Sequence, residues 1–287
     1  MRGDAKSMTV LRPRSAAEAV KSFAKVPAAI PLAGGTDLMV GWNLGILNGR
    51  AILDLSRVAE WKKIKVVSDG IDIGSLVTHA EIQAHPVIRK RFPLLVAACG
   101  TVGAAQIQNR GTIGGNIANA SPAGDTFPAL AVYEATVRVL GPNGRRGVPM
   151  NEIFAGVKKT TLKPGELIEA IFLPYLEKPA RGVFRKVGTR AAQAISKTMF
   201  AGLLFNGKGG VLEEARLAFG SLAPTVRRLY AAEAFLKGRK LDDKTISAAA
   251  ELMTTDVSPI DDIRSTRDYR LVVSRNLLIA FLKGEVK

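Results

Sequence analysis

The chain has 287 residues, 47% of them hydrophobic and 23% charged, which is typical of a folded globular protein and excludes a disordered one. No segment approaches the ~18 uninterrupted apolar residues of a membrane-spanning helix, and the charged N-terminus lacks the apolar core of a secretory signal. The single cysteine permits no internal disulfide, which fits a reducing compartment. We therefore expect a cytoplasmic protein without a membrane span.

The net charge of +16 raises the question of nucleic-acid binding. The basic residues occur in scattered short groups, and aromatic residues make up only 6% of the chain. Neutralising phosphates needs clustered cations, and base stacking needs aromatic side chains. The sequence therefore favours a basic surface that faces solvent or partner proteins over one that binds nucleic acid.

In chain order, the first part of the sequence predicts three separate strands and two hairpins. Short apolar runs predict the strands, at residues 28–33, 51–56 and 165–174. Apolar residues that alternate on both sides of a glycine-containing turn predict the hairpins, at residues 63–78 and 135–150. Antiparallel pairing is therefore expected in this part of the chain.

Two helices in the same part have recognisable starts. Ser15 and Glu18 have the spacing of a capping box, in which each side chain accepts a hydrogen bond from the other residue's backbone. Thr78 and Glu81 have the same spacing, before a helix that should end ahead of Pro86.

The pattern changes after Pro174. Residues 177–182 resemble a linker, and two strands are predicted within residues 196–220. Helices follow at residues 225–238, 242–253 and 266–284. We place a domain boundary near residue 177, which gives domains over residues 1–177 and 178–287. Because both parts mix helices with hairpins, the predicted fold class is α+β.

Several motifs of known chemistry are incomplete. Residues 202–209, "GLLFNGKG", lack the Ser or Thr that follows the lysine of a phosphate-binding loop, and the context predicts a hairpin turn. His79 and His85 are six residues apart and do not share a helix face. We expect no metal site, and we interpret His79 as a polar residue in a helix's first turn. The motifs of hydrolases and of nicotinamide-binding folds are missing.

Two glycine-rich segments remain. The first glycine loop, residues 34–37 ("GGTD"), follows an apolar strand, and the second, residues 111–125, reads "GTIGGNIANASPAGD". Adjacent glycines permit positive φ and let backbone N–H groups converge on an anion. Neither loop contains a lysine, so amide dipoles and hydroxyl groups would hold the anion. That suits a pyrophosphate shared by both loops, with Asp37 and Asp125 facing hydroxyl groups.

Together, these segments resemble the FAD-binding medium subunit of the molybdenum-containing hydroxylases, the family of xanthine dehydrogenase and carbon monoxide dehydrogenase. Residues 32–38, "LAGGTDL", are similar to the family's first flavin loop, and residues 101–125 to its second. Residues 183–196 are similar to its C-terminal flavin-side segment. The resemblance implies a two-part FAD-binding domain of the vanillyl-alcohol oxidase (PCMH) type, then a C-terminal domain of the carbon monoxide dehydrogenase flavoprotein type, with a three-stranded sheet and helices.

The resemblance also implies which residues bind FAD. They are Leu32, Ala33, Gly34, Gly35, Thr36, Asp37, Leu38, Val102, Ile107, Thr112, Gly114, Gly115, Asn116, Ser121, Asp125, Ile168 and Lys186. Arg190 and Gln193 are long polar side chains in the third segment, so we expect them to reach the flavin edge or an electron acceptor. The resemblance assigns no catalytic residue and no metal ligand to this chain.

The implied function is to pass electrons through FAD to an external acceptor, within an oxidoreductase complex. The molybdopterin cofactor would lie on a large subunit and two [2Fe-2S] clusters on a small one, in a heterotrimer or its dimer. Each cluster needs four cysteines, and this chain has one. "AGGTDL" and "AIS" look closer to the purine and N-heteroaromatic branches. The alternatives are a carbon monoxide dehydrogenase medium subunit and a free-standing FAD reductase of the same fold.

Overall fold

The computed structural model describes residues 3–286. The helices α1–α11 span Ala16–Lys25, Leu38–Asn43, His79–Ala84, Pro86–Arg91, Pro93–Gly100, Ala105–Gln108, Ile113–Ala118, Phe127–Val132, Tyr230–Leu236, Asp243–Asp256 and Arg267–Lys283. The strands β1–β14 span Thr9–Leu11, Ile30–Leu32, Ala51–Asp54, Ile64–Val66, Gly70–Gly74, Thr136–Gly141, Gly144–Pro149, Phe154–Gly156, Lys159–Thr160, Leu167–Pro174, Arg181–Val187, Thr198–Asn206, Leu212–Gly220 and Arg227–Arg228.

Among residues 3–286 the strands form a three-stranded parallel sheet, two larger antiparallel sheets and the antiparallel pair β8-β9. In the parallel sheet, of order β1-β3-β2, α1 connects the first two strands in sequence. The five-stranded sheet has the order β4-β5-β10-β6-β7, and the C-terminal sheet has the order β11-β12-β13-β14. The glycine-rich segments both lie outside these sheets, and the first one leaves the end of β2.

The predicted strands and hairpins are present, mostly with shorter bounds. The two hairpins are β4–β5 and β6–β7, and β10 lies between them in the five-stranded sheet. The segment that resembles a phosphate-binding loop is the end of β12 and a turn leading to β13, as its context predicted. No helix among residues 3–286 is long and apolar enough to cross a membrane.

Both predicted helix caps form, but only one is reciprocal. The Thr78 side chain accepts from the Glu81 backbone N–H while Glu81 accepts from the Thr78 backbone N–H, as predicted. Ser15 also caps its helix, with its hydroxyl 3.2 Å from the Glu18 nitrogen. The Glu18 carboxylate instead accepts from the backbone N–H of Arg14, at 2.7 Å.

The C-terminal sheet differs from the three strands expected. Its three long strands are joined by a fourth, Arg227–Arg228, which pairs with β13. The predicted helix over residues 225–238 therefore starts later, at Tyr230. Pairing with the sheet edge outweighs the helical propensity of these first residues because it satisfies their backbone groups within the fold.

The C-terminal sheet packs on both faces and shares one core with the first part of the chain. Phe184 and Leu203 point into the core formed by the five-stranded sheet and helices α3–α5, α7 and α8. Val183 and Phe200 point the other way, against α9–α11. A third, smaller core lies beneath the parallel sheet and includes the buried Trp61.

A buried ion pair ties the C-terminal domain to the first core. The Arg228 guanidinium donates two hydrogen bonds to the Glu233 carboxylate, at 2.7 and 2.8 Å, and both side chains are less than one-tenth exposed. Arg228 also donates to the carbonyl of Ala131 in α8, and Glu233 accepts from the backbone N–H of Leu217. Each polar group of the pair therefore has several partners.

We predict that Glu233→Ala lowers the free energy of unfolding by about 3–5 kcal/mol, because the buried Arg228 guanidinium loses its bidentate partner and keeps only the half-exposed Glu134 carboxylate, at 3.5 Å. Denaturant unfolding measures the change. The control is Glu251→Ala, which removes the exposed pair with Arg275 and should cost less than about 1 kcal/mol. Equal losses in the two variants would contradict the prediction.

Candidate functional site

A cavity of about 820 Å³ lies between the two glycine loops. The first loop forms one wall, and the start of the second loop forms the wall opposite. The rest of the lining comprises the segment 162–168 and apolar side chains near the parallel sheet, namely Phe23, Pro27, Ile30, Pro31, Leu55 and Leu76. The lining thus combines the small residues of the loops with apolar side chains.

The first glycine loop presents unpaired backbone N–H groups. From Gly34 to Leu38, none of the five amides donates a hydrogen bond within residues 3–286. Gly35 has φ +79°, a left-handed conformation that lets successive amides turn toward one point. A Cβ at Gly34 would overlap the carbonyl oxygen of Arg110, so only glycine allows the loops to touch here. The first loop can therefore receive an anion.

The second glycine loop differs from the open loop that its composition predicted. It contains the short helix α7, capped by the Thr112 hydroxyl, which accepts from the Gly115 N–H at 3.1 Å. The amides of Ile113, Gly114 and Asn116 also donate within the protein, to the carbonyls of Val77, Ser75 and Thr112. Gly114 lies against Ser75, where a Cβ would come within 2.5 Å of the serine side chain. The second loop therefore contributes to the shape of the cavity, whereas the run of consecutive unpaired amides lies in the first loop.

Polar side chains join the two loops at the cavity. Asp37 accepts a hydrogen bond from the amide nitrogen of Asn119, at 3.1 Å, and lies 3.8 Å from the Lys158 ammonium. Asn116 accepts from the Thr126 hydroxyl at 2.6 Å. The Asp37–Asn119 hydrogen bond joins the two loops directly, while the Asn116–Thr126 hydrogen bond lies within the second loop and its flank.

The structure brings together most of the sequence-predicted site residues but not all. Those that line the cavity are Ala33, Gly34, Gly35, Thr36, Asp37, Leu38, Val102, Ile107, Thr112, Gly114, Gly115, Asn116 and Ile168. Leu32, Ser121, Asp125 and Lys186 lie outside its lining.

Asp125 and Lys186 form a buried ion pair behind the second loop. The Lys186 ammonium lies 2.6 Å from the Asp125 carboxylate and donates to the carbonyl of Thr101, at 2.9 Å. Burial raises the pKa of Asp125 to about 6, although the ammonium acts in the opposite direction. In this structure the Asp125 carboxylate thus faces a cation, where a ligand hydroxyl was predicted.

The loop with Arg190 and Gln193 contacts the cavity's rim. The Gln193 backbone N–H donates to the carbonyl of Gly103, the neighbour of the cavity-lining Val102. Arg190 was expected to reach the flavin edge or an electron acceptor; in this structure its guanidinium donates to the carbonyls of Ala192 and Gln193 in its own loop. Gln193 has φ +51°, a conformation that non-glycine residues seldom adopt.

Sequence reasoning missed His79, which is more than a polar residue in a first turn. Its side chain is 1% exposed and lines the cavity. Burial lowers the pKa of His79 to about 4, so the imidazole is neutral near neutral pH. The capping box predicted its place in the helix, but no sequence signal indicated which way the ring points. Ser75 and the segment 162–167 also line the cavity. They were missed because no local sequence pattern indicates that they face it.

Within residues 3–286, no group of three or more His, Cys, Asp or Glu side chains is placed to hold a metal ion. Cys99 is fully buried in the first core, and burial raises the pKa of its thiol far above the usual range. The cavity is therefore lined by amides, hydroxyl groups, one neutral imidazole and apolar side chains, together with the charged residues Asp37, Lys163 and Glu166.

Two protein families account for nearly the whole chain. Residues 6–176 match the family described as the FAD binding domain in molybdopterin dehydrogenase. Residues 183–284 match the family described as the carbon monoxide dehydrogenase flavoprotein C-terminal domain.

Curated relatives and solved structures agree with these matches. The glyceraldehyde dehydrogenase medium chain of Sulfolobus acidocaldarius is 31% identical, over 95% of this chain and 96% of its own. The xanthine dehydrogenase FAD-binding subunit of Escherichia coli O157:H7 is 32% identical, over 91% and 89%. A chain of carbon monoxide dehydrogenase from Hydrogenophaga pseudoflava superposes with a TM-score of 0.90 at 28% identity, covering 95% and 94%.

We predict that Gly34→Ala lowers the free energy of unfolding by about 1–3 kcal/mol, because the added methyl group forces the two loops apart. Thermal and denaturant unfolding measure the loss. Gly41→Ala is the matched control: it lies in α2, where a Cβ would meet only Leu47 at 3.7 Å, and alanine favours a helix by about 1 kcal/mol. A Gly34→Ala variant as stable as the control would mean that the loops do not depend on this contact.

Proposed function

The chain belongs to the FAD-binding family of the molybdopterin dehydrogenases, and we propose that it holds one FAD in the cavity between its glycine loops. There it serves as the electron-transfer subunit of a molybdenum hydroxylase. The observation that carries this proposal is the run of five unpaired amides from Gly34 to Leu38 at the edge of an 820 Å³ cavity.

The residues present fit a dinucleotide. Unpaired N–H groups at a left-handed glycine form an anion-binding concavity, which suits a pyrophosphate. Thr36 and Thr112 add hydroxyl groups to the lining of the cavity. The apolar side chains of the lining suit an aromatic ring system, and the cavity's volume lies in the usual range for ligand sites, roughly 300–1,000 Å³.

When bound, FAD supplies the redox chemistry, and the protein supplies binding, orientation and electrostatics. Val102 and Ile107 form an apolar rim between the second loop and the Gln193 loop. Lys186 holds this rim from behind through the Thr101 carbonyl. We propose that the Asp125–Lys186 ion pair positions the apolar rim formed by Val102 and Ile107.

The remaining cofactors belong to other chains in this proposal. A [2Fe-2S] cluster needs four cysteine ligands, and the one cysteine here is buried. Relatives are described as medium chains and FAD-binding subunits of dehydrogenases. We therefore propose a large molybdopterin-binding partner and a small [2Fe-2S] partner, in a cytoplasmic heterotrimer or its dimer.

We predict that the chain binds one equivalent of FAD and that Ala33→Leu weakens this binding at least about tenfold. Ala33 lines the cavity, and its methyl group lies 3.7 Å from the position of a Cβ at Gly115, so leucine would fill the space between the loops. Flavin fluorescence titration of the flavin-free protein measures the dissociation constant.

The matched control is Ala28→Leu, an exposed alanine before β2 and outside the cavity. It should bind FAD as the wild type does. A wild-type chain that binds no FAD would overturn the proposed function. Equal affinity in both leucine variants would place FAD elsewhere on the chain.

We predict that the chain co-purifies with iron- and molybdenum-containing partners and that Cys99→Ala leaves the iron content of the complex unchanged, because buried Cys99 ligates no cluster. Metal analysis of the wild-type and variant complexes is the measurement. Isolation of a catalytically complete, partner-free reductase would favour the free-standing alternative. Loss of iron in the variant would contradict the assignment of both clusters to other chains.

A further inference from the structure

The backbone of His79 is hydrogen-bonded to the second glycine loop. Its N–H donates to the carbonyl of Gly111, at 3.1 Å, and the preceding Thr78 forms a β-bridge with Thr112. His79 is also the first residue of α3, whose capping box fixes the start of that helix. The position of the imidazole is therefore set by the same contacts that shape the loop.

The imidazole has a buried nitrogen without a partner. Nδ1 of His79 is inaccessible and makes no hydrogen bond within residues 3–286, although the ring lines the cavity. Neutral imidazole carries one N–H donor and one acceptor nitrogen. An unpaired buried N–H is rarer in proteins than an under-satisfied acceptor, so the proton belongs on Nε2.

The Cδ2 atom of the imidazole and the Thr36 hydroxyl of the first loop both lie close to Gly111. A point above Gly111, where a Cβ would stand, is 3.3 Å from Cδ2 of His79 and 3.5 Å from the hydroxyl oxygen of Thr36. Cδ2 is bonded to Nε2. The absence of a side chain at Gly111 thus allows the imidazole and the Thr36 hydroxyl to approach one another, next to the unpaired amides of the first loop.

We propose that His79 is a ligand-binding residue, which donates a hydrogen bond from Nε2 to a pyrophosphate oxygen of the dinucleotide. The neighbouring groups are donors as well, namely the amides from Gly34 to Leu38 and the Thr36 hydroxyl. Several donors that line one cavity suit a ligand whose atoms only accept, as phosphate oxygens do. This inference rests on the proposed function and adds a residue that the resemblance to flavin loops does not assign.

The test compares FAD and ADP binding to the flavin-free full chain, because ADP carries the pyrophosphate without the flavin. We expect His79→Leu to weaken both ligands by the same factor, about tenfold to a hundredfold, as for a lost hydrogen bond to a charged group. His79→Gln, which keeps an N–H donor, should recover much of the affinity. His85→Leu is the matched control, since His85 ends the same helix and does not line the cavity.

Unchanged ADP affinity in His79→Leu would overturn the inference, and so would a loss that His85→Leu reproduces. A wild-type chain that binds neither ligand would overturn the proposed function instead, so the two failures are distinguishable. A structural role for His79 would lower stability in both the Leu and the Gln variants without separating their ADP affinities.

Spectroscopy gives an independent readout, because the chain has two histidines. We expect NMR of the imidazole nitrogens to show His79 protonated on Nε2, with that resonance shifting when ADP binds. The His85 resonances should stay in place. An Nε2 resonance of His79 that does not shift at saturating ADP would contradict direct binding.

Discussion

The site depends on a contact between two stretches of backbone. Gly34 lies so close to the carbonyl of Arg110 that no side chain fits between them, and this contact brings the end of β2 to the start of the second loop. Side chains could not replace it, because any atom beyond the Cα would push the loops apart. The close approach of the two loops that line the cavity depends on this one steric constraint.

The two glycine loops have different tasks, although their compositions are alike. In the second loop, glycine allows close packing: Gly114 lies against Ser75, and Gly111 leaves room for His79 and Thr36. The amides from Ile113 to Asn116 all donate within the protein, so this part of the loop is held in place before a ligand arrives. In the first loop the glycines leave amides unpaired. A second loop that is already held in place, together with a first loop rich in hydrogen-bond donors, forms a preorganised site. Ligand binding then costs little additional conformational entropy.

Much of the fold was predictable because it depends on local chemistry. The capping box at Thr78 and Glu81, the hairpins and the hairpin turn after β12 follow from neighbouring residues alone. The helix α7 was not predictable, since its glycines disfavour a helix and a bridge between Thr78 and Thr112 holds it. The direction of the His79 ring and the Asp125–Lys186 pair depend on contacts between distant segments, which no local pattern reports.

The C-terminal domain completes the site from behind. Lys186 lies on β11, yet its ammonium holds the Thr101 carbonyl and the Asp125 carboxylate, at the two ends of the segment that contains the second loop. A buried pair of this kind is weak evidence for stability, because desolvation opposes the attraction between the charges. Its value here is positional: the Lys186 ammonium reaches both the Thr101 carbonyl and Oδ2 of Asp125 only when β11 and the loop are correctly docked. The apolar rim formed by Val102 and Ile107 is thereby coupled to the C-terminal sheet. The other face of that sheet packs on α9–α11.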